Sequence, residues 1–384
     1  MDQLMPGKTS SSSDDSSVVC FFEKLQSAFL DEFEKDVAGL SISLKKRPSQ
    51  YQISSEEKTL AFEKDAAQKQ VTYSWPGKSP HEAWRFSCVL RVLSLIFEAV
   101  QDNLLLSKRS IYYDNPDLFG TQQVVDSIVD DIAYTIGVDR SALHITSVGK
   151  GLTAGVGRFT TKSEFCFDTS TGDVLIPRLA DIESIDISEV KWVLIAIFRR
   201  LVHKRYSTEK GILITGKGYP DISTREFAHL LSDIVSQGKS SVVPDLKVAL
   251  PPSSPHFFAL VDGDPDGLAI MSTYKYGSMA HAHESARLNA PKLEWLGTRI
   301  SDIVSEKNKL DNDDWVTISL TPRDSKKIQT MLGNNPVFAE DGPQPDWRAE
   351  LQTMMLLNMK VETEVLYGVD GGLEEWMDSK MASM

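Results

Sequence analysis

The sequence predicts a mixed α/β (α+β) protein of two domains, a helical N-terminal domain and a C-terminal domain built on a mostly parallel sheet. Three observations carry that expectation. From Trp192 onward, short apolar runs alternate with helical patterns, the order of strands joined by crossover helices. Before residue 168, long apolar stripes at helical spacing dominate and lead into a Gly-rich stretch. At Phe257–Gly267 (FFALVDGDPDG) an apolar run delivers Asp262, Asp264 and Asp266 to the point where Pro265 and Gly267 stop the strand.

At 384 residues the chain is long enough for two cores. A formal charge of −13 and a pI near 5.1 argue against a general DNA coat protein, which would be basic. The average hides a basic stretch, since Val190–Gly218 is rich in Lys and Arg and carries Glu209 as its one internal acid, so a nucleic-acid face is permitted. The longest apolar run, Trp192–Phe198, is too short to span a bilayer, and no secretory signal is visible at the N-terminus. Cys20, Cys88 and Cys166 stand far apart, so we expect reduced thiols in an intracellular protein with no membrane partner.

Residues 1–18, which include a Ser- and Asp-rich run, have little to bury and predict a disordered tail. Residues 19–70 form an extension whose one amphipathic helix aligns Phe22, Leu25, Phe29 and Phe33. Residues 39–79 otherwise predict irregular chain, with a strand at Val71–Trp75. The domain at 71–167 opens with a core helix, His81–Leu106, followed by a two-turn helix, Lys108–Tyr113, that Ser107 caps and Asn115-Pro116 ends. A further helix, Gln122–Ile136, carries Val125, Ile128, Val129 and Ile132 on one face and closes at Gly137. Extended pieces at Ala142–Ser147 and Phe159–Phe167 flank GKGLTAGVGRF, with Gly149, Gly151, Gly155 and Gly157. That order predicts a CAP-like winged helix with the Gly-rich segment as its wing. A phosphate cradle is the rival reading, but no suitable helix start follows.

Residues 168–188 are turn-rich and predict a linker. In 189–384, Trp192–Ile195, Gly211–Thr215, Leu246–Leu250 and Phe257–Val261 read as strands of a Rossmann-like sheet. Phe198–Tyr206, Ser223–Ser236 and Ala269–Tyr274 read as its helices; Trp315–Leu320 is a further strand, and Pro322–Leu332 and Trp347–Val361 further helices. Ligands of such sheets gather at the carboxyl ends of the strands, where GILITGKGYPD and FFALVDGDPDG both place polar residues.

Several motifs read less strongly than they look. GILITGKG meets G-x-x-x-x-G-K, yet Gly218 follows where Ser or Thr is required, and the intervening residues form a strand; Lys217 reads as a cation at a strand end. DGDPDG opens like a calcium loop, but Thr273 stands where a bidentate Glu is needed. His281 and His283 have no further His or Cys nearby and read as surface residues. Two pairings carry chemistry. Asp262 and Asp264, two apart on an extended segment, face one spot and repel unless a cation such as Mg²⁺ lies between them. Arg109 precedes Tyr113 by one helical turn, where a guanidinium stabilises a phenolate and holds a phosphate oxygen. A Tyr112-Tyr113 pair alone is ordinarily packing; on a helix-turn-helix element it reads as a nucleophile aimed at a DNA phosphodiester.

KRSIYYDNPDLFGTQ, KGLTAGVGRF, TGKGYPDISTREF and ALVDGDPDGLAIMSTYKYGS resemble the A subunit of type VI DNA topoisomerase. They resemble still more closely its eukaryotic relative, the meiotic protein that makes the double-strand breaks initiating recombination. The resemblance covers Val71–Leu366 and implies a winged-helix domain joined to a Toprim domain that holds Mg²⁺. It implies Tyr113 as nucleophile with Arg109 beside it, Asp262 and Asp264 as the metal pair, and Lys150, Lys217, Tyr219 and Arg225 at or near DNA. It further implies a transesterase that stays linked to the 5′ end of double-stranded DNA in the nucleus, on meiotic chromosomes. The implied partners are a second copy or a heterotetramer with a topoisomerase VI B-like subunit, together with accessory break-forming proteins.

A short gap and one substitution depart from the family pattern. Its first Toprim strand reads like VLIVEKEAIF, whereas Val193–Phe198 here reads VLIAIF, as if about four residues including a glutamate were removed. Ser110 stands where the family usually has an acid. The shortened strand reflects either a mis-spliced or mis-predicted product of an active gene or a variant that binds without cleaving. A transesterase, a silent DNA-binding scaffold and a metal nuclease that uses water therefore remain as alternatives.

Overall fold

The computed structural model describes residues 12–34, 39–56, 58–63, 69–146, 149–170, 172–196, 201, 210–241, 243, 245–279, 282, 287–307, 317–368 and 372–384. The chain divides into two compact units, Met1–Gln50 with Phe62–Val148, and Tyr51–Ala61 with Gly149–Met384.

In the first unit, α1 (Ser12–Glu34) buries Val18 and Phe22, so helix begins inside the segment expected to be a tail. β1 (Leu40–Lys45) pairs antiparallel with β4 (Gln70–Trp75), while β2 (Tyr51–Ile53) and β3 (Leu60–Phe62), which pair with each other, belong to the second unit apart from Phe62. β1 arises because Ile42 and Leu44 are buried on either side of exposed Ser43, the two-residue alternation of a half-buried strand. α2 (Pro80–Gln101) is capped by Ser79, whose hydroxyl accepts from Glu82 N at 3.2 Å, and it sends Phe86, Val89, Leu93 and Ile96 into the core. α3 (Lys108–Asp114), α4 (Pro116–Phe119) and α5 (Gln122–Ile136) complete the helix-turn-helix, and Gly137 closes α5 in the left-handed region at φ 83°.

Where a strand was expected at Ala142–Ser147, residues 142–144 form successive turns, with Ala142, Leu143 and His144 bonding back to Asp139, Arg140 and Ser141; Ser147 lies outside the described residues. Coiling lets the adjacent apolar residues Ala142 and Leu143 both face the core, which a strand would send to opposite sides. The ribbon of this unit is therefore β1 with β4, which lie between α1 and α2 in the chain.

The expected wing is likewise corrected. β5 (Leu152–Gly155), β6 (Arg158–Thr161), β7 (Cys166–Asp168), β8 (Val174–Leu175) and β9 (Ile182–Asp186) all belong to the second unit. With β10 (Trp192–Ile195), β11 (Gly211–Thr215), β13 (His256–Leu260) and β14 (Leu293–Gly297), β5 and β8 form a six-stranded sheet in the order β14-β13-β10-β11-β5-β8. The first four are parallel, and β5 closes antiparallel on β11. The physical reason is burial, because Thr153, Ala154 and Gly155 are covered on both faces, unlike an exposed ribbon. A Cβ at Gly151 would lie 2.0 Å from Thr224 Oγ1, so glycine there admits a helix against the strand.

The helices of this unit are α6 (Ile222–Gln237), α7 (Pro265–Tyr276), α8 (Ile300–Lys307), α9 (Pro322–Asn334), α10 (Pro345–Leu357) and α11 (Gly372–Ser383); α6, α7, α9 and α10 fall on expected helices, and α8 and α11 are additional. β12 (Lys247–Ala249) occupies the predicted segment but pairs with β9 outside the parallel sheet. Asn358, at φ 50°, ends α10 before Val361, and β16 (Met359–Lys360) then pairs with β15 (Ile318–Ser319). The helix expected at Phe198–Tyr206, apart from Leu201, and the pair His281 and His283 lie outside the described residues. Among the described residues no helix is long and apolar enough to cross a membrane.

Candidate active-site residues

In the first unit, the short helix α3 is fixed at both ends. At its start, Ser107 Oγ accepts from Ser110 N at 2.8 Å and Ser110 Oγ accepts from Ser107 N at 2.9 Å, a reciprocal capping box. Ser110 thereby does locally what an acid would do at that position. Lys108 pairs with Asp130 of α5, which Arg47 also approaches at 3.1 Å and Arg140 at 3.7 Å. Burial pushes the Lys108 amine down, against the opposing pull of Asp130. At the far end, Arg91 of α2 holds Asp114 through two hydrogen bonds of 2.8 and 2.9 Å.

A seven-residue helix is not stable alone, so these anchors and buried Ile111 determine where its outer face points. That face carries Arg109 and Tyr113, one turn apart and both exposed; Tyr113 is 62% exposed. Tyr112 is half-buried, with its ring centroid 5.5 Å from that of Tyr113. One tyrosine packs and its neighbour is presented.

In the second unit, β13 and the start of α7 gather the three aspartates. Asp264 caps α7, its carboxylate accepting from Gly267 N at 2.6 Å, which places negative charge at a helix N-terminus. Glycine is required at 267, since a Cβ would lie 2.2 Å from the Asp262 carbonyl oxygen. Asp262 Oδ1 accepts from both Thr363 N (2.9 Å) and Thr363 Oγ1 (2.8 Å), and Gly263 and Val361 exchange backbone bonds of 2.8 and 3.1 Å. Lys360, paired with Asp324 at 2.9 Å, lends positive charge toward Asp264. The supports from Val361, Thr363 and Lys360 were not visible in sequence, because each lies dozens of residues away.

Asp262, Asp264 and Asp266 line a pocket of about 210 Å³ with Ala196, Gly216 and Tyr274. Burial first, and the neighbouring Asp262 and Asp266 charges next, push the Asp264 carboxyl up. Burial also raises the Tyr274 phenol far above its ordinary range, and its buried hydroxyl has no hydrogen-bond partner among the described residues. The donor set suits a hard cation: Asp262 and Asp264 each keep one oxygen with no hydrogen bond among the described residues, and one or two carboxylates plus water suffice for Mg²⁺. No group of three or more acidic, His or Cys side chains among the described residues is arranged to hold a metal. At the end of β10 the pocket is met by Ala196, so no described residue of that strand adds a carboxylate.

An uncompensated carboxylate opposes folding. Because the folded value of Asp264 is raised, its effect is absent below the unfolded value near 3.9 and full once pH exceeds the folded one. Asp264→Asn keeps the helix cap and is expected to stabilise the chelator-treated protein by roughly 0.5–2 kcal/mol at pH 7, with the gain vanishing toward pH 3. Thermal melts at both pH values check this, and a loss of stability at pH 7 contradicts it.

The four residues expected near DNA separate. Lys150 and Lys217 are exposed neighbours, with Lys150 Nζ 3.3 Å from the Lys217 carbonyl and Lys150 N bonded to Asp221 of the α6 cap at 2.9 Å. Tyr219 is 45% exposed, but its hydroxyl is engaged with Asp266 and Lys327. Arg225 is corrected: it is 2% exposed and its Nε donates to the Leu288 carbonyl at 3.2 Å, so it serves the fold from the inner face of α6. Helical phase decides this, as Arg225 shares its side of α6 with buried Ala228 and Ser232. Arg199, Arg200, Lys204 and Arg205 lie outside the described residues.

Comparison with known proteins follows this division. A family model described as type IIB DNA topoisomerase matches residues 84–145, and one for the Toprim domain of Spo11 and the A subunit of topoisomerase 6 matches 194–237 and 253–380. The meiotic recombination protein SPO11 of Homo sapiens is 36% identical over 296 residues, covering 75% of this chain and 68% of that protein. The meiotic recombination protein rec12 of Schizosaccharomyces pombe is 30% identical over 369 residues, covering 94% and 93%. The A subunit of DNA topoisomerase 6 from Arabidopsis thaliana is 30% identical over 287 residues, covering 72% and 60%.

Proposed function

Because the chain belongs to the family that holds Spo11 and the A subunit of topoisomerase 6, we propose that it is a DNA transesterase that forms meiotic double-strand breaks. The observation that carries the reading is the presentation of Tyr113 on an anchored helix with Arg109 one turn before it. Tyr113 Oη attacks the phosphorus of a phosphodiester; the bond to O3′ breaks, the departing oxygen takes a proton, and the 5′ phosphate remains esterified to the tyrosine. Arg109 steadies a non-bridging phosphate oxygen, and Lys150 and Lys217 hold the backbone.

Asp262 and Asp264 are the residues that would hold Mg²⁺, which when bound neutralises charge at the scissile phosphate. Thr363 and Gly267 keep those carboxylates oriented. One tyrosine cuts one strand, so a double-strand break takes two copies, as a homodimer or within a heterotetramer containing a B-like subunit. Accessory break-forming proteins and a location on meiotic chromosomes in the nucleus complete the reading. A second reading, a DNA-binding scaffold that does not cleave, is favoured by Ala196 where the strand lacks its acid.

End-labelled duplex DNA incubated with the protein and Mg²⁺, then denatured, tests the proposal. Protein covalently attached to 5′ ends is the expected result. Free 5′ phosphates indicate a water-using nuclease, and retention without breakage indicates the scaffold; either one overturns it.

A further inference from the structure

On the rim of the carboxylate pocket stands a cation that no sequence motif announced. Lys327, in the second turn of α9, pairs its ammonium with Asp266 and also reaches Tyr219 Oη at 2.6 Å. Tyr219 Oη is itself 3.2 Å from the same Asp266 oxygen, and the ammonium lies 5.2 Å over the Tyr219 ring. The Lys327 side chain is 23% exposed, so water screens the pair only in part. Asp266 is thus occupied twice on one oxygen, by a charged donor and by a neutral one. What sets Asp266 apart from Asp262 is the charge of its donor: the ammonium neutralises the carboxylate and repels a divalent ion approaching either of its oxygens, whereas the Thr363 donors on Asp262 carry no charge.

We propose that Lys327 is the resident counter-cation of Asp266 and competes with a divalent ion for the pocket, confining that ion to Asp262 and Asp264. The inference rests on the metal reading of that pocket. It explains why three aspartates converge on one pocket and yet are not arranged as a three-ligand group. It also gives Tyr219 a positioning role, since its hydroxyl and its ring face both hold the ammonium in place. The consequence is specific to this chain, in which Ala196 leaves the pocket without an acid from β10. The carboxylate nearest to hand as a replacement is the one that Lys327 keeps occupied.

Calorimetric titration of Mg²⁺ into the full, chelator-treated chain tests this without reference to cleavage. Lys327→Met, which keeps the length of the side chain, is expected to bind Mg²⁺ at least about three-fold more tightly than the wild type. Lys327→Met combined with Asp266→Asn is expected to lose that gain. Binding by Lys327→Met that equals or falls below the wild type overturns the inference, as does a gain that survives Asp266→Asn. Lys327→Gln repeats the test should the methionine variant melt below the wild type. If neither wild type nor variant binds Mg²⁺ at millimolar concentration, the metal reading itself falls, and the inference with it.

Discussion

Tyr113→Phe is expected to lower DNA cleavage by about four orders of magnitude or more while leaving DNA affinity within about two-fold of wild type. The substitution removes one oxygen from a ring that is largely in solvent, so folding has little reason to respond. Chemistry has every reason, since that oxygen forms the covalent bond and neither water nor Tyr112 can take its place. Tyr112 is half-buried on a different side of the same two-turn helix, and bringing it outward would require α3 to turn against its two anchors. Quantifying 5′-linked protein and duplex binding in parallel separates the two effects. Cleavage within ten-fold of wild type would remove Tyr113 from the mechanism.

Asp130→Ala is expected to destabilise the first unit by about 3–5 kcal/mol. Asp130 is 4% exposed and faces Lys108, Arg47 and Arg140; removing it leaves three cations crowded together, with Asp131 answering Arg47 and Lys46 and the more distant Asp126 answering Lys108 and Arg140. Lys108 is the most telling of the three, because burial already disfavours its charge and Asp130 is what offsets that. Pairing Lys108→Met with Asp130→Leu removes both charges and is expected to cost less than Asp130→Leu alone, a coupling that a double-mutant cycle measures. Denaturant unfolding of the four proteins is the check, and additive losses would mean that the pair does not anchor α3. Where the singly substituted protein still folds, cleavage should fall more than DNA binding, because α3 loses its alignment while the basic exterior stays.

Local patterns were legible wherever one period sufficed. The apolar face of α5, the cap at Ser107 and the stop at Asn115-Pro116 each follow from neighbours within a few residues, as do the strands β10, β11 and β13. The DGDPDG tip was legible for the same reason, although α7 starts at Pro265, before its apolar stripe becomes clear. What failed was pairing at a distance. Glycines at 149–157 suit a hairpin and a buried edge equally well, and only the antiparallel register of Leu152–Gly155 against Ile212–Thr215 distinguishes them. Arg225 looked like a DNA contact within its motif, yet its position on α6 turns it toward Leu288.

By its own pattern the chain specified most of its long helices and central strands, the shared helical face of Arg109 and Tyr113, and a charged tip on a buried strand. Periodicity and capping are local, so they are written in the residues that obey them. The tertiary structure alone decided which sheet takes the Gly-rich strand, that Lys108 and Arg91 fix α3, and that Thr363, Lys360 and Lys327 surround the aspartates. Those contacts bring together residues 22 to 101 positions apart. No short-range preference records them, because burial and charge choose partners only after the chain has closed upon itself.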